Sequence, residues 1–359
     1  MGCMAATGND ASPVDWAYAR VVAKKVSGTG PQIGLEQAKQ AVRELRECAA
    51  EATPLIAKLS NLDAPADPGS VIVVDRAGWT DANAKAFSSL LEPLLGRLQG
   101  TGGALPQGFG ARVAGAEIGA ALGFLSTKVL GQYELFTEAP DVPPRLMLVA
   151  PNIVKMEMEL GVTPRDFRLW VCLHEETHRV QFTATPWLGP WLREQIDTYL
   201  EQVDLGSGEL LIRGKQLVAA VWGALRGLDA VSVLEQSMSP DERALLDRLT
   251  GIMSLLEGHA EVMMDAVGSE ILPSVDTMRE HLDRRRTRTG STDAFLRRLL
   301  GMDSKLAQYR DGARFVRAVI DDVGLDGFNR VWTSPDTLPT REELHAPKDW
   351  VTRVGAIAT

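Results

Sequence analysis

TPRDFRLWVCLHEETHRVQF, residues 163–182, is the stretch on which the reading of the chain turns. It opens with the marks of a helix start. Thr163 is a capping residue, Pro164 suits the first turn, and Asp166 sits where an acid meets the helix dipole favourably. Phe167, Trp170, Val171, His174 and His178 then fall on neighbouring faces of one helix. Two histidines four residues apart stand one turn above the other, so both rings can reach one ion at about 2.0–2.1 Å. Glu175 is one step round from His174. There its carboxylate can meet the water that a metal would activate without occupying the metal, as a general base must. Cys172, two residues from His174, turns away and reads as a small buried residue.

A catalytic zinc takes a third protein ligand and leaves its fourth position to water. The metzincin pattern would place a glycine three residues after His178 and a histidine three further on, but Gln181 and Ala184 stand there. The other histidines are His259, His281 and His345. A second helix, SLLEGHAEVMMDAVG at 254–268, offers carboxylates instead. Glu257, Glu261 and Asp265 follow one another at four-residue steps among Leu255, Leu256, Val262, Met263 and Met264. Acids set among apolar neighbours need partners. Glu257 is assigned as the third ligand. Glu261 or Asp265 would accept a hydrogen bond from a ligand histidine and fix its tautomer, the alternative for both being a solvated or salt-bridged acid.

Outward from these helices, most of the chain reads as helical. A short helix is expected around Trp16–Lys24, and another from a Thr80 or Asp81 cap through Phe87, Leu90, Leu91, Leu94, Leu95 and Leu98. A further helix over about 111–131 carries Ala111, Gly115, Gly119 and Gly123 on one stripe, a device for letting another backbone approach closely. Ser239-Pro240-Asp241-Glu242 and Thr340-Arg341-Glu342-Glu343 read as helix starts. Strand signals are confined to Val71–Val74 and Leu146–Val149. The Gly-rich stretch at 100–110 lacks the Lys-Ser/Thr ending of a phosphate loop and reads as a connector. The fold expected is mainly α with a small β element. A partly flexible segment over 1–30 precedes a single domain over 31–359, its site built from helices at about 164–182 and 240–267.

Bulk properties narrow the partners. The 359 residues are 45% apolar and 24% charged, ordinary for a globular protein, and the formal net charge is −9. That balance argues against nucleic acid, and the one dense basic run, Arg284–Arg288 around Thr287, reads as a solvated helix end. Cys3, Cys48 and Cys172 form no disulfide framework, the N-terminus has no signal-peptide pattern, and no stretch is apolar enough for a membrane span. A cytoplasmic protein is expected.

The pairing of HExxH with a downstream glutamate resembles the gluzincin metallopeptidases. Glu257-Gly258-His259-Ala260 is similar to the Asn-Glu-Gly-aromatic-Ala/Thr signature of aminopeptidase N-like enzymes, whose glutamate is the third zinc ligand. Leu256 replaces the asparagine, the spacer from His178 is longer, and the exopeptidase motif Gly-x-Met-Glu-Asn is missing, so aminopeptidase specificity does not carry over. Over nearly its whole length the chain resembles an actinobacterial zincin-like family. The matching stretches are VVDRAGWTDAN, LGFLSTKVLGQYELF, LMLVAPNI, HEETHRVQF, LLEGHAEVMMD and LPTREELHAPKDW. That resemblance implies a zincin-like metallohydrolase fold and supports Glu257. Members of the family are associated with hydrolysis or with deazaflavin-coenzyme biosynthesis, which supplies no substrate.

The expected activity is zinc-dependent hydrolysis of a peptide or small amide, with Glu175 moving the proton. A donor for the developing oxyanion is sought in Tyr309 first, then Tyr199 and His259. The rival expectation is a non-catalytic, zinc-stabilised scaffold linked to deazaflavin metabolism. Glu175 separates the two, because a purely structural site needs no base.

Overall fold

A computed structural model describes residues 12–65, 69–100, 108–137, 142–202, 240–268, 270–278, 280–281 and 302–357. Its N-terminal part runs through α1 (Trp16–Ser27), α2 (Leu35–Ser60), β1 (Val71–Val74), α3 (Arg76–Gly100), α4 (Phe109–Leu125), β2 (Gly131–Glu134) and β3 (Arg145–Val149). Next come α5 (Ala150–Leu160), α6 (Pro164–Thr183), α7 (Leu188–Gln202), α8 (Pro240–Ala266) and α9 (Met302–Phe328). Two 3-10 turns, Asn329–Trp332 and Pro335–Thr337, precede α10 (Arg341–His345) and α11 (Pro347–Ile357). Among the described residues the chain is mainly helical with one small sheet, as the sequence leads one to expect. Residues 284–288 and most of the Gly-rich connector, 101–107, lie outside the described residues.

The two apolar runs form the heart of the sheet. β1 and β3 pair in parallel from Val71↔Leu146 to Val74↔Val149, and β2 lies antiparallel on the other side of β3. β2, Gly-Gln-Tyr-Glu, carries no apolar alternation of its own. Its register comes from β3, which explains why it does not announce itself in the sequence.

Contacts group the chain into two compact units, 1–41 with 71–155 and 42–70 with 156–359. In the first, α1 lies against the small-residue stripe of α4. A Cβ added at Gly115, Gly119 or Gly123 would strike the carbonyl oxygens of Asp15, Ala19 and Ala23 in turn. Ala23, Trp79, Ala82, Ala84, Leu122, Met147 and Val149 close a core over the sheet. Asn152 ties it together by donating to the carbonyls of Ser126 and Val129 while accepting from Arg76 Nε at 2.7 Å. Two helix boundaries differ from the sequence reading. α3 starts at Arg76, four residues before Thr80, because Asp75 Oδ1 accepts from Gly78 N–H at 2.7 Å and caps the helix there. α4 stops at Leu125 instead of reaching 131, where the Ser126 and Thr127 hydroxyls donate to the Gly123 and Phe124 carbonyls.

The second unit is built on α6, which is buried on most of its circumference. One face carries charge into the interior. Arg168 grips Glu157 through Nε and a terminal nitrogen at 3.0 and 2.6 Å and also pairs with Glu44. Arg179 binds Glu176 at 2.8 Å, the Gly69 carbonyl at 2.9 Å and Thr53 Oγ1 at 2.9 Å. Burial pushes the carboxyls of Glu157 and Glu176 up, and the paired arginines oppose that rise. Cys172 shares this face, fully buried with its sulfur towards the Leu45 carbonyl, as its spacing from His174 requires.

Candidate metal centre

α6 begins at Pro164, with Thr163 extended at the N-cap position. The Thr163 hydroxyl makes no capping bond, so the start is set by the proline and the extended residue before it. Asp166 accepts from both the backbone N–H and the hydroxyl of Ser274, at 3.1 and 2.6 Å. Its carboxylate therefore tethers a distant turn as well as facing the helix dipole.

Two turns further on, His174 and His178 project together, their rings perpendicular with centroids 4.8 Å apart. Their Nε2 atoms are 3.3 Å apart. α8 brings Glu257 opposite, Oε2 at 3.7 Å from His174 Nε2 and Oε1 at 3.7 Å from His178 Nε2. Donors held at about 2.0–2.1 Å by one tetrahedral ion stand roughly 3.3–3.4 Å from each other. The two histidine nitrogens stand at that spacing, and each carboxylate oxygen is a few tenths of an ångström further out, close enough for one ion to draw the three residues together. Among the described residues, this is the group of histidine, cysteine and carboxylate atoms close enough to share a metal. His174 and Glu257 keep 27% and 29% of their side chains exposed, which leaves an approach from solvent.

Glycines on two helices place Glu257. At the crossing of α8 and α9, a Cβ on Gly258 would run into the backbone of Gly312 and Ala313, and one on Gly312 into the Ser254 carbonyl. Leu255, Leu256, Ala260, Met263 and Met264 fill the interior beside that crossing. On α6, Trp170 stacks on His174 with centroids 6.3 Å apart and on Phe167 at 6.0 Å.

Glu175 lies beside this cluster, only 8% exposed. Burial pushes its carboxyl up to about 7. His178 opposes the rise and Glu257 adds to it. A carboxylate with a proton affinity near neutrality is suited to accept and return a proton.

The other residues singled out in the sequence are distributed differently. Glu261 and Asp265 both face Arg317 of α9, at 3.0 and 2.5 Å in exposed ion pairs, which is the salt-bridged alternative for these acids. The residue that meets the ligand histidine is Gln181, whose Oε1 is 3.0 Å from His178 Nδ1. Its Nε2 donates to the Leu256 carbonyl and to His259 Nδ1, each at 2.9 Å. Sequence reasoning registered Gln181 only as the residue that breaks the metzincin pattern. The available signal was its place three residues after a ligand histidine, within reach on the same helix face. His259 is fully buried between Phe328 and Trp332, and burial together with nearby His178 lowers its pKa to about 3. His281 meets the Leu160 carbonyl and His345 faces Asp311. Tyr309 lies on α9, but its side chain is outside the described residues.

Residues 14–351 match the family model for zincin-like metallopeptidases. The chain belongs to that family. A zincin-like chain is expected to carry a metal, usually zinc, and the His174, His178 and Glu257 donors fit one. A search of solved structures returned a crystal structure of a proposed hydrolase with a novel fold from Chloroflexus aurantiacus, at a TM-score of 0.68 and 30% identity. The alignment covers 95% of this zincin-like chain and 99% of that one. A search of curated proteins returned no match. These likenesses support a metal-binding hydrolase. Among the described residues, no helix is long and apolar enough to cross a membrane.

Proposed function

We propose that the protein is a zinc-dependent hydrolase that cleaves a peptide or small amide bond, with His174, His178 and Glu257 as zinc ligands and Glu175 as general base. The observation that carries this is the placing of a nearly buried carboxylate beside three donor residues close enough to share one ion. Zinc held there supplies a Lewis acid that polarises a carbonyl and acidifies water. Glu175 would take the proton at a carboxylate oxygen and return it to the departing amine. The exposed flanks of His174 and Glu257 leave room for substrate, and the half-buried Trp170 ring walls one side of His174.

Metal analysis combined with an unbiased peptide and small-amide library digest tests the proposal. Purified protein should hold about one zinc per chain, and His174→Ala, His178→Ala and Glu257→Ala should each lose most of it. Glu261→Ala and Asp265→Ala, which only release exposed contacts to Arg317, should keep wild-type zinc and shift stability by about 0.5 kcal/mol or less. Chelation should lower the melting temperature, since bound metal stabilises only the folded chain. Full zinc occupancy in a His174→Ala, His178→Ala double variant would end the metal assignment. Zinc without turnover of any peptide or amide would leave the ion as a strut.

A further inference from the structure

Gln181 is completely buried, and its amide spans the two helices of the site. The Leu256 carbonyl can only accept, so the nitrogen of the Gln181 amide must face it, at 2.9 Å. Oε1 then points at His178 and can only accept, which places the proton of the His178 ring on Nδ1, 3.0 Å away. Nε2 of that ring is left as a bare lone pair, aimed at the shared donor position 3.3 Å from His174 Nε2 and 3.7 Å from Glu257. The same amide nitrogen donates to His259 Nδ1, so the His259 proton sits on Nε2. That atom has no hydrogen-bond partner among the described residues and lies in the aromatic enclosure of Phe328 and Trp332. A buried polar atom without a partner is costly, so the tautomer of His259 is held against that cost by the Gln181 bond.

We infer that Gln181 is the positioning residue of the site: it fixes the Nδ1–H tautomer of His178 and, through the carbonyl that precedes Glu257, pins the α8 ligand to the α6 ligands. This role rests on the proposed zinc assignment but is open to a test that needs no zinc. Carboxylates and backbone carbonyls commonly orient metal-binding histidines. Here a neutral amide does so, accepting from His178 while donating to Leu256 and to His259. An ionised acid at this position would keep the first bond and lose the second.

The experiment compares wild type with Gln181→Met and Gln181→Glu, using imidazole nitrogen NMR on chelated protein at a pH where the rings are neutral, and zinc affinity by competition with a chromogenic chelator. In wild type, His178 should show a protonated Nδ1 and His259 a protonated Nε2. In Gln181→Met, His178 should become a mixture of tautomers, and zinc should bind about 10–100-fold more weakly. Gln181→Glu should retain the His178 tautomer but still bind zinc more weakly than wild type, because it no longer donates to the Leu256 carbonyl, and the His259 signal should change. A merely structural glutamine would change the melting temperature of Gln181→Met without moving the His178 tautomer. The inference is overturned if wild-type His178 carries its proton on Nε2, or if Gln181→Met keeps both the wild-type tautomer and wild-type affinity. Should Gln181→Met fail to fold, the wild-type tautomers and Gln181→Glu still decide. If wild type takes up no zinc, the zinc assignment fails and the tautomers alone judge Gln181.

Discussion

Glu175→Gln should hold zinc at the wild-type level and hydrolyse its substrate about 10²–10⁴-fold more slowly, the range for losing a positioned general base. The amide keeps the shape of the carboxyl but cannot accept a proton at neutral pH. Retained turnover with full zinc would mean that another group moves the proton. The same substitution has an opposite effect on the metal-free fold. The folded pKa of Glu175, about 7, lies above its ordinary value of 4.5, because burial disfavours the anion. Between those two pH values the folded chain keeps a proton that the unfolded chain has released, so stability falls as pH rises through the window and levels off above it. The shift corresponds to about 3 kcal/mol, and glutamine has no such proton to lose. Urea unfolding of chelated protein should therefore show Glu175→Gln gaining on wild type between pH 5 and pH 8. A constant difference between the two would show that ionising Glu175 costs the fold nothing.

Gly258→Ala should be among the most damaging single changes available to this chain. The added methyl meets the backbone of Gly312 and Ala313, which cannot rotate aside as a side chain would, so α8 and α9 must separate. Overpacking of this kind costs about 1–3 kcal/mol and sometimes more. Glu257 is the adjacent residue, so its carboxylate moves with the helix. Zinc affinity should fall together with stability, by about tenfold or more if the carboxylate is displaced from its donor position. Gly251 provides the control on the same helix. Its nearest neighbour would be the tip of Leu344 at 4.0 Å, so alanine there should stabilise by roughly 0.5–1 kcal/mol through helix propensity. Chemical denaturation and chelator competition on the two variants measure the contrast. Equal behaviour would show that the α8–α9 crossing does not place Glu257.

What could be read from the sequence was local in origin. The two histidines and Glu175 follow from spacing on one helix, β1 and β3 from short apolar runs, and a close backbone approach to α4, though not which helix makes it, from glycines at every fourth position. Glu257 stands out as an acid among apolar neighbours, and the fold brings it to 3.7 Å from both histidines. What escaped was supplied by partners far along the chain. Arg317, more than fifty residues after Glu261 and Asp265, claims both acids, and no spacing rule forecasts that. Gln181 is a common polar residue whose meaning depends on Leu256 and His259 arriving from another helix. The start of α3 was misplaced because Asp75 and Thr80 are both acceptable caps, and only the bond from Gly78 chooses between them.

Arg168 and Arg179 stand eleven residues apart on α6, three turns or about 16 Å along its axis, and therefore on the same side. Each is anchored in the interior by several fixed acceptors, Arg168 on Glu44 and Glu157, Arg179 on Glu176, Thr53 and Gly69. A rod clamped at two points can neither spin nor slide. The histidines carried between those clamps thus keep their bearing before any ion arrives, and the ordering entropy of capture is already met during folding. Backbone amides from Val171 to His178 should then resist hydrogen exchange in chelated protein nearly as well as in loaded protein. An ion of the wrong radius would find two of its three donors unable to give way, so part of the discrimination among divalent cations would reside in the stiffness of one helix.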